Sequence, residues 1–174
     1  MNKLLVPFLC LILVACSSSD EESKTGLNAA PLTKEKAVSL NDFLLADIQN
    51  QPQRLENWQG KVIILNFWAT WCPPCRREMP GFVELDEEFS QQGLQMIGIA
   101  IDEKSAVTDF VDSMGIEFPI LIGGNDAITI AKHYGNRHGA LPYSVVIDRQ
   151  GFIRHQIAGE LSKNEAIDLI KPLL

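Results

Sequence analysis

The sequence lacks a hydrophobic run long enough to cross a membrane, and it lacks an excess of positive charge. The N-terminal apolar run from Leu4 to Val14 is interrupted by Pro7 and falls short of the roughly 20 residues that a transmembrane helix needs. A net charge of −7 argues against binding nucleic acid or an anionic membrane through charge. What remains is a chain of 174 residues, 46% of them hydrophobic, which suffices for one well-packed domain.

Cysteines and histidines are also few. The chain has four cysteines and three histidines, and only Cys72 and Cys75 form a Cys-x-x-Cys pair. Structural zinc usually takes four ligands, often from two such pairs, and the histidines show no ligand spacing (His133, His138 and His155). The sequence therefore favours redox chemistry over a metal site.

The first sixteen residues have the order of a targeting segment. Asn2-Lys3 gives a short positive start, and the apolar core ends in Leu13-Val14-Ala15-Cys16, which resembles the lipobox of bacterial lipoproteins. The resemblance implies a signal peptide over residues 1–15, a lipidated Cys16, and a periplasmic position on the inner or the outer membrane. The alternative is an ordinary secretory signal that leaves Cys16 as a free thiol.

The residues after Cys16 are polar and acidic and have no apolar period. We predict a lipid-anchored tether over residues 16–36 and a single folded domain over residues 37–174. An exported compartment tolerates disulfides. A cysteine pair kept reduced there therefore needs a dedicated electron source.

Apolar periodicity predicts alternating strands and helices within the domain. Near its start, residues 38–58 fit an edge hairpin or a strand followed by a helical turn. Strands are then predicted at residues 62–68, 95–101, 118–122, 143–147 and 152–157. Helices are predicted from residue 75 to the stop at Gly93, and over residues 104–114, 127–134 and 162–174. This order indicates an α/β fold with a partly parallel sheet covered on both faces.

Cys72 and Cys75 lie where the first strong strand leads into a helix. At the helix N-terminus, unpaired N–H groups and the helix dipole would lower the pKa of Cys72. Cys75 lies one turn further on, within reach to form and release a disulfide. Pro73 and Pro74 suit the first turn but remove two N–H donors, so we predict a modest depression of the Cys72 pKa.

The stretch Trp71-Cys72-Pro73-Pro74-Cys75 after an apolar strand, with Pro80 further on, resembles the thioredoxin superfamily. The resemblance implies a thioredoxin-like three-layer sandwich, with a mixed sheet and an extra strand–helix unit within residues 95–134. The lipoprotein signal and residues 66–80 are similar to exported reductases of the TlpA, ResA and CcmG type. Leu141-Pro142 then matches the family's cis-proline, which lies beside the disulfide and, with Trp71, contacts the substrate.

The resemblance also implies roles for the site residues. Cys72 is the nucleophile and Cys75 resolves the mixed disulfide, so no cofactor is required. Asn66 stands where thioredoxins carry a buried aspartate that moves protons. Glu78, one turn from Cys75, matches a glutamate of this branch and is a candidate proton acceptor; the alternative is that it only favours the helix start through the dipole.

The implied partners are exported protein disulfides, above all apocytochrome c awaiting haem, and a membrane electron donor of the DsbD or CcdA type. A broader disulfide oxidoreductase, or an electron donor in an antioxidant pathway, is the alternative. A copper metallochaperone would have a wider cysteine spacing. A peroxidase would have threonine in place of Ala69. A non-catalytic binding module is hard to reconcile with two intact cysteines.

Overall fold

The computed structural model describes residues 43–174, so the predicted signal peptide, Cys16 and the tether lie outside the described residues. The described chain forms seven strands and four α-helices. The strands are β1 (Leu45–Asp47), β2 (Pro52–Gln53), β3 (Val62–Trp68), β4 (Leu94–Ala100), β5 (Ile120–Ile122), β6 (Tyr143–Ile147) and β7 (Ile153–Ala158). The helices are α1 (Pro73–Phe89), α2 (Lys104–Met114), α3 (Gly124–His133) and α4 (Lys163–Ile170).

The strands form one mixed sheet in the order β2-β1-β5-β4-β3-β6-β7. The central strand β3 is parallel to β4 and antiparallel to β6, and β4 is parallel to β5. The hairpins β1–β2 and β6–β7 close the two sides. The predicted α/β class with a mixed sheet is confirmed, and two strand–helix units lie between α1 and β6.

Strand β3 is buried along its whole length, and alternate side chains enter different cores. Ile63, Leu65 and Phe67 belong to a cluster that includes residues of α3. Ile64 and Trp68 belong to a second cluster that includes residues of α1, α2 and α4. The sheet therefore has helices on both faces, as predicted. Because side chains alternate along a strand, Asn66 is directed to the same face as Ile64 and Trp68, where α1 packs.

Several element boundaries differ from the predicted ones by a few residues, most of all the end of the last helix. Helix α4 ends at Ile170 and not at Leu174, because Pro172 has no N–H with which to continue the helix. The segment before β3 contains both predicted alternatives, since the β1–β2 hairpin is followed by a 3₁₀ turn at Leu55–Trp58. No helix in residues 43–174 is long and apolar enough to cross a membrane.

Candidate active site

The turn between β3 and α1 carries the two cysteines. Cys72 is the N-cap of α1 and Cys75 lies in its first turn, after Pro73 and Pro74. Their sulfurs are joined in a disulfide, with the two Cα atoms 5.3 Å apart. Cys72 Sγ accepts a hydrogen bond from Cys75 N at 3.4 Å. Cys75 is fully buried, whereas Cys72 is 4% exposed, so Cys72 is the sulfur nearer to solvent.

Asp102, which follows β4, holds this turn from the neighbouring strand. Its Oδ2 accepts hydrogen bonds from Thr70 N at 3.1 Å and from the Thr70 hydroxyl. Its Oδ1 accepts from Glu103 N at 2.8 Å. A carboxylate that binds two donors of one residue fixes both the backbone and the side chain there. Asp102 therefore fixes the residue that precedes Trp71 and Cys72.

The arginines after Cys75 have separate contacts. Arg76 lies over the Phe110 ring, with its guanidinium carbon 5.7 Å from the ring centroid. Arg77 forms an exposed ion pair with Glu160, with Nη2 and Oε2 2.7 Å apart. Exposed ion pairs contribute little to stability. The lowered pKa of Cys72 stays a prediction, because a sulfur in a disulfide does not titrate.

Glu78 is a buried carboxyl on α1, one turn after Cys75. Only 3% of the residue is exposed. Its Oε1 accepts a hydrogen bond from Asn66 Nδ2 at 2.8 Å, and its Oε2 accepts one from Leu161 N at 2.9 Å. Burial raises the pKa of Glu78 to about 7, the two hydrogen bonds oppose the rise, and the nearby charge of Glu160 adds to it. The group therefore changes its protonation near neutral pH.

Asn66 connects this carboxyl to β6. Its Nδ2 also donates to Ser144 Oγ at 3.0 Å, and Asn66 and Ser144 are direct neighbours in the β3–β6 register. Both residues are buried. Asn66 Oδ1 is buried too and accepts no hydrogen bond from the described residues. A buried polar atom without a partner is costly.

Two consecutive contacts join α1 to the loop of residues 159–162, which links β7 to α4. Arg77 and Glu160 form the outer contact, and Glu78 and Leu161 N form the inner one. At the start of the same loop, the N–H of Gly159 donates to Pro142 O at 2.9 Å. This loop therefore touches both the buried carboxyl and Pro142.

Trp71 and Leu141 line one cavity of about 190 Å³. Trp71 is 64% exposed, Pro142 is buried, and the Leu141–Pro142 peptide bond is cis, the form that the resemblance implies. The other wall comes from α3 and from residues near β4, including Ile128 and Ile101. The structure thus brings Trp71 and Leu141 together at one cavity, and their contact with a substrate stays a prediction.

Comparison with known proteins identifies the family. Residues 37–156 match the model of the AhpC/TSA family. The chain belongs to this family. Within it, the ResA thiol-disulfide oxidoreductase of Geobacillus kaustophilus is 34% identical over 148 residues, covering 80% of this chain and 83% of the relative. The ResA protein of Geobacillus thermodenitrificans is 36% identical over the same length and coverage.

Solved structures share the fold of this chain. A thiol:disulfide interchange protein of the thioredoxin family from Chlorobium tepidum superposes with a TM-score of 0.72 and 27% identity, covering 81% of this chain and 99% of that one. A secreted thiol-disulfide isomerase from Corynebacterium glutamicum has the same fold, with a TM-score of 0.71 and 23% identity, covering 83% and 94%. With the Cys72–Cys75 disulfide, this AhpC/TSA family member is a thiol-disulfide oxidoreductase.

Some site residues were not identified from the sequence. Ser144 contacts Asn66 and the Leu161 N–H contacts Glu78, whereas Asp102 contacts Thr70 just before the cysteine motif. One signal was available for Asp102, because it follows β4 at the same sheet edge as the cysteines, where functional groups of parallel strands gather. The position of the peroxidase threonine holds buried Ala69. In residues 43–174, no three His, Cys, Asp or Glu side chains are grouped to hold a metal ion.

Proposed function

We propose that this protein is a membrane-tethered reductant of disulfides in exported proteins, with apocytochrome c as its main substrate. The observation that carries the proposal is the buried carboxyl of Glu78, one helical turn from Cys75, whose pKa lies near 7. A reductant needs a group that takes the proton of its resolving thiol at neutral pH. Glu78 is suited to accept that proton.

In the proposed reaction the reduced protein begins with a Cys72 thiolate. Its sulfur attacks one sulfur of the substrate disulfide, forms a mixed disulfide and releases the other substrate sulfur as a thiolate. Cys75 then passes its proton to Glu78 and attacks Cys72 Sγ. The Cys72–Cys75 disulfide forms as the bond between Cys72 and the substrate breaks, and the substrate leaves with two more electrons, as two thiolates that take up protons from water. The sulfurs carry both electrons, so no cofactor takes part.

The residues around the disulfide support a polypeptide substrate. Trp71 is exposed beside the more accessible cysteine, and Leu141 shares its cavity. An aromatic side chain at such a position provides a large contact area. We assign substrate contacts to Trp71, Leu141 and Pro142, with an apolar part of the substrate chain lying along the cavity.

The anchoring and the electron supply belong to the same proposal. Cys16 is the proposed lipidation site, and it would hold the domain on the periplasmic side of a bacterial membrane. The names of the ResA relatives and the secreted neighbour are consistent with work outside the cytoplasm. A membrane donor of the DsbD or CcdA type would return the disulfide to the dithiol, because an oxidising compartment offers no general thiol reductant.

The test is to trap the substrate on Cys72. In a Cys75→Ser variant the mixed disulfide is not resolved, so partners stay attached and can be identified after affinity purification and mass spectrometry. The control is the variant with both cysteines replaced by serine, which should trap nothing. Capture of apocytochrome c through its haem-binding cysteines is expected. A variant that traps no exported protein would refute the proposal.

A broader substrate range is the second candidate. The cavity wall is mostly apolar and, within the described residues, includes no charged side chain. Such a surface suits many extended segments equally well. A broad oxidoreductase, or an electron donor in an antioxidant pathway, would trap several unrelated exported proteins in the same experiment.

A further inference from the structure

The hydrogen bonds of Glu78 suit its charged form and not its protonated form. Oε1 faces Asn66 Nδ2, and Oε2 faces the N–H of Leu161. Both partners are donors, and a carboxylate only accepts. A protonated carboxyl still accepts hydrogen bonds, but its O–H also needs an acceptor, and neither of these two partners offers one. The proton is therefore held best on Glu78 if one of the two partners becomes an acceptor.

Only one of the two partners can change without moving the backbone. The Leu161 donor is a main-chain group, fixed by the path of the loop. Asn66 donates from a side-chain amide, whose oxygen and nitrogen are similar in size. A half-turn of that amide exchanges Nδ2 for Oδ1 and presents an acceptor to Glu78.

We propose that Asn66 and Ser144 are positioning residues that enable Glu78 to hold the proton. When Glu78 is charged, Asn66 Nδ2 donates to Glu78 Oε1, as in the structure. When the proton from Cys75 arrives, the amide rotates and Oδ1 accepts the new O–H of Glu78. The inference rests on the proposed function, because it takes Glu78 as the acceptor of that proton.

Ser144 can form a hydrogen bond with the Asn66 amide in both orientations. A hydroxyl both donates and accepts, so Ser144 Oγ accepts from Nδ2 in one orientation and donates to Oδ1 in the other. The present orientation leaves Oδ1 without a partner among the described residues. The rotated one leaves Nδ2 in that same place. Each state contains one unpaired amide atom, so the protonation of Glu78 decides between them.

The charged groups near Glu78 do not select an orientation of the Asn66 amide, so the local hydrogen bonds determine it. Glu160 raises the Glu78 pKa through its charge, and the Arg77 guanidinium pairs with Glu160. On the sheet side the neighbours are the uncharged Asn66 and Ser144. In the oxidised protein the Cys72–Cys75 disulfide adds no charge.

The experiment follows the Asn66 amide by NMR in the oxidised full-length protein. Asparagine side chains carry ¹⁵N, glutamate carboxyl carbons carry ¹³C, and spectra are recorded from pH 5 to 9. The Asn66 Nδ2 resonances, and their NOEs to Ser144, should change with the same midpoint as the Glu78 carboxyl carbon. If Glu78 titrates while these NOEs stay constant, Asn66 is a fixed donor and the proposal is wrong. The same holds if Glu78 does not titrate in this range.

Asn136 is the matched control for the amide. It is also a buried asparagine, but its Nδ2 donates to Ala140 O and its Oδ1 accepts from Ala140 N. These two bonds fix its orientation, and its resonances should not follow Glu78. The oxidised protein has no Cys75 thiol, so this result is independent of whether Glu78 receives that thiol's proton during turnover.

Substitutions at Ser144 provide a second arm. When Glu78 is charged, Ser144→Ala removes the acceptor of a buried Asn66 N–H. When Glu78 is protonated, the same substitution removes only one of the two donors to Asn66 Oδ1. Since an unpaired buried N–H is the larger loss, the Glu78 midpoint should rise by about one pH unit. Ser144→Thr keeps the hydroxyl and should restore the midpoint. Equal shifts in the two variants would assign the effect to packing and overturn the role of the hydroxyl.

Discussion

The stability of the oxidised protein should fall as the pH rises from about 4.5 to about 7, and Glu78 should cause most of this fall. The pKa of Glu78 is about 7 in the folded protein, against an ordinary value of 4.5. Below pH 4.5 the carboxyl is protonated in both folded and unfolded chains and contributes no difference. Between the two values the unfolded chain ionises and the folded protein resists it, so unfolding becomes progressively easier.

The size of the effect follows from the pKa difference. Each pKa unit corresponds to 1.36 kcal/mol, so a rise from 4.5 to about 7 amounts to about 3 kcal/mol. In the Glu78→Gln variant this ionisation is absent. Near pH 5 the unfolding free energy of the variant should match that of the wild type. Near pH 8 the variant should be more stable by this amount, reduced by about 1 kcal/mol because its amide forms an imperfect hydrogen bond.

Urea unfolding of the oxidised protein at several pH values between 5 and 8 measures the effect. The quantity to compare is the change in unfolding free energy with pH, wild type against Glu78→Gln. Asp86→Asn is the matched control, because burial also raises the pKa of that carboxyl on α1 although it lies away from the disulfide. If Glu78→Gln keeps the wild-type slope, Glu78 ionises as an ordinary carboxyl and the argument for a proton acceptor fails.

Three further substitutions test other parts of the structure. Trp71→Ala removes exposed contact area beside the cavity and should raise KM for a protein disulfide about tenfold, while turnover of oxidised glutathione stays unchanged. Asp102→Ala leaves both Thr70 donors without this acceptor and should lower the unfolding free energy by about 1–2 kcal/mol, measured in urea. Gly98→Ala places a Cβ 2.6 Å from Ile120 Cδ1 and should destabilise the protein by about 1–3 kcal/mol in the same assay.

Each of these variants has a comparison that separates its effect from general damage. Equal losses of Trp71→Ala on both substrates would exclude a role in protein binding. Asp102→Asn keeps an acceptor oxygen and should recover part of the stability that Asp102→Ala loses. Gly81→Ala on α1 meets only the Lys163 side chain and backbone, at 3.3 Å or more. Gly81→Ala should be close to neutral, and an equally large loss there would contradict the packing argument for Gly98.

The fold was predictable where the apolar period is strong. The predicted bounds 62–68, 104–114 and 143–147 agree with β3, α2 and β6, because buried strands and amphipathic helices have unambiguous patterns. The predicted start of the last helix is also close to that of α4, where Ser162 and Glu165 form a capping box. The end of α4 was misplaced, since the apolar pattern continues past Pro172 although the regular helix ends at Ile170.

Site residues that lie close together in the sequence were predictable, but contacts between distant segments were not. The Cys72–Cys75 pair and the position of Glu78 follow from local spacing, because residues three apart on a helix are neighbours. The partners of the Glu78 carboxyl do not follow from spacing. Asn66 lies on β3 and Leu161 is 83 residues away. These contacts arise because α1 packs between the sheet and the loop of residues 159–162. No residue pattern along the sequence indicates that packing.

The loop of residues 159–162 should be unusually intolerant of changes in its length. Surface loops generally accept insertions and deletions. Here consecutive residues of α1 contact consecutive residues of the loop, Arg77 with Glu160 and Glu78 with Leu161. A shift of one residue would direct a charged side chain towards the interior and withdraw the amide from the buried carboxyl. The length of this surface loop is therefore constrained by its contacts with Arg77 and with the buried carboxyl of Glu78.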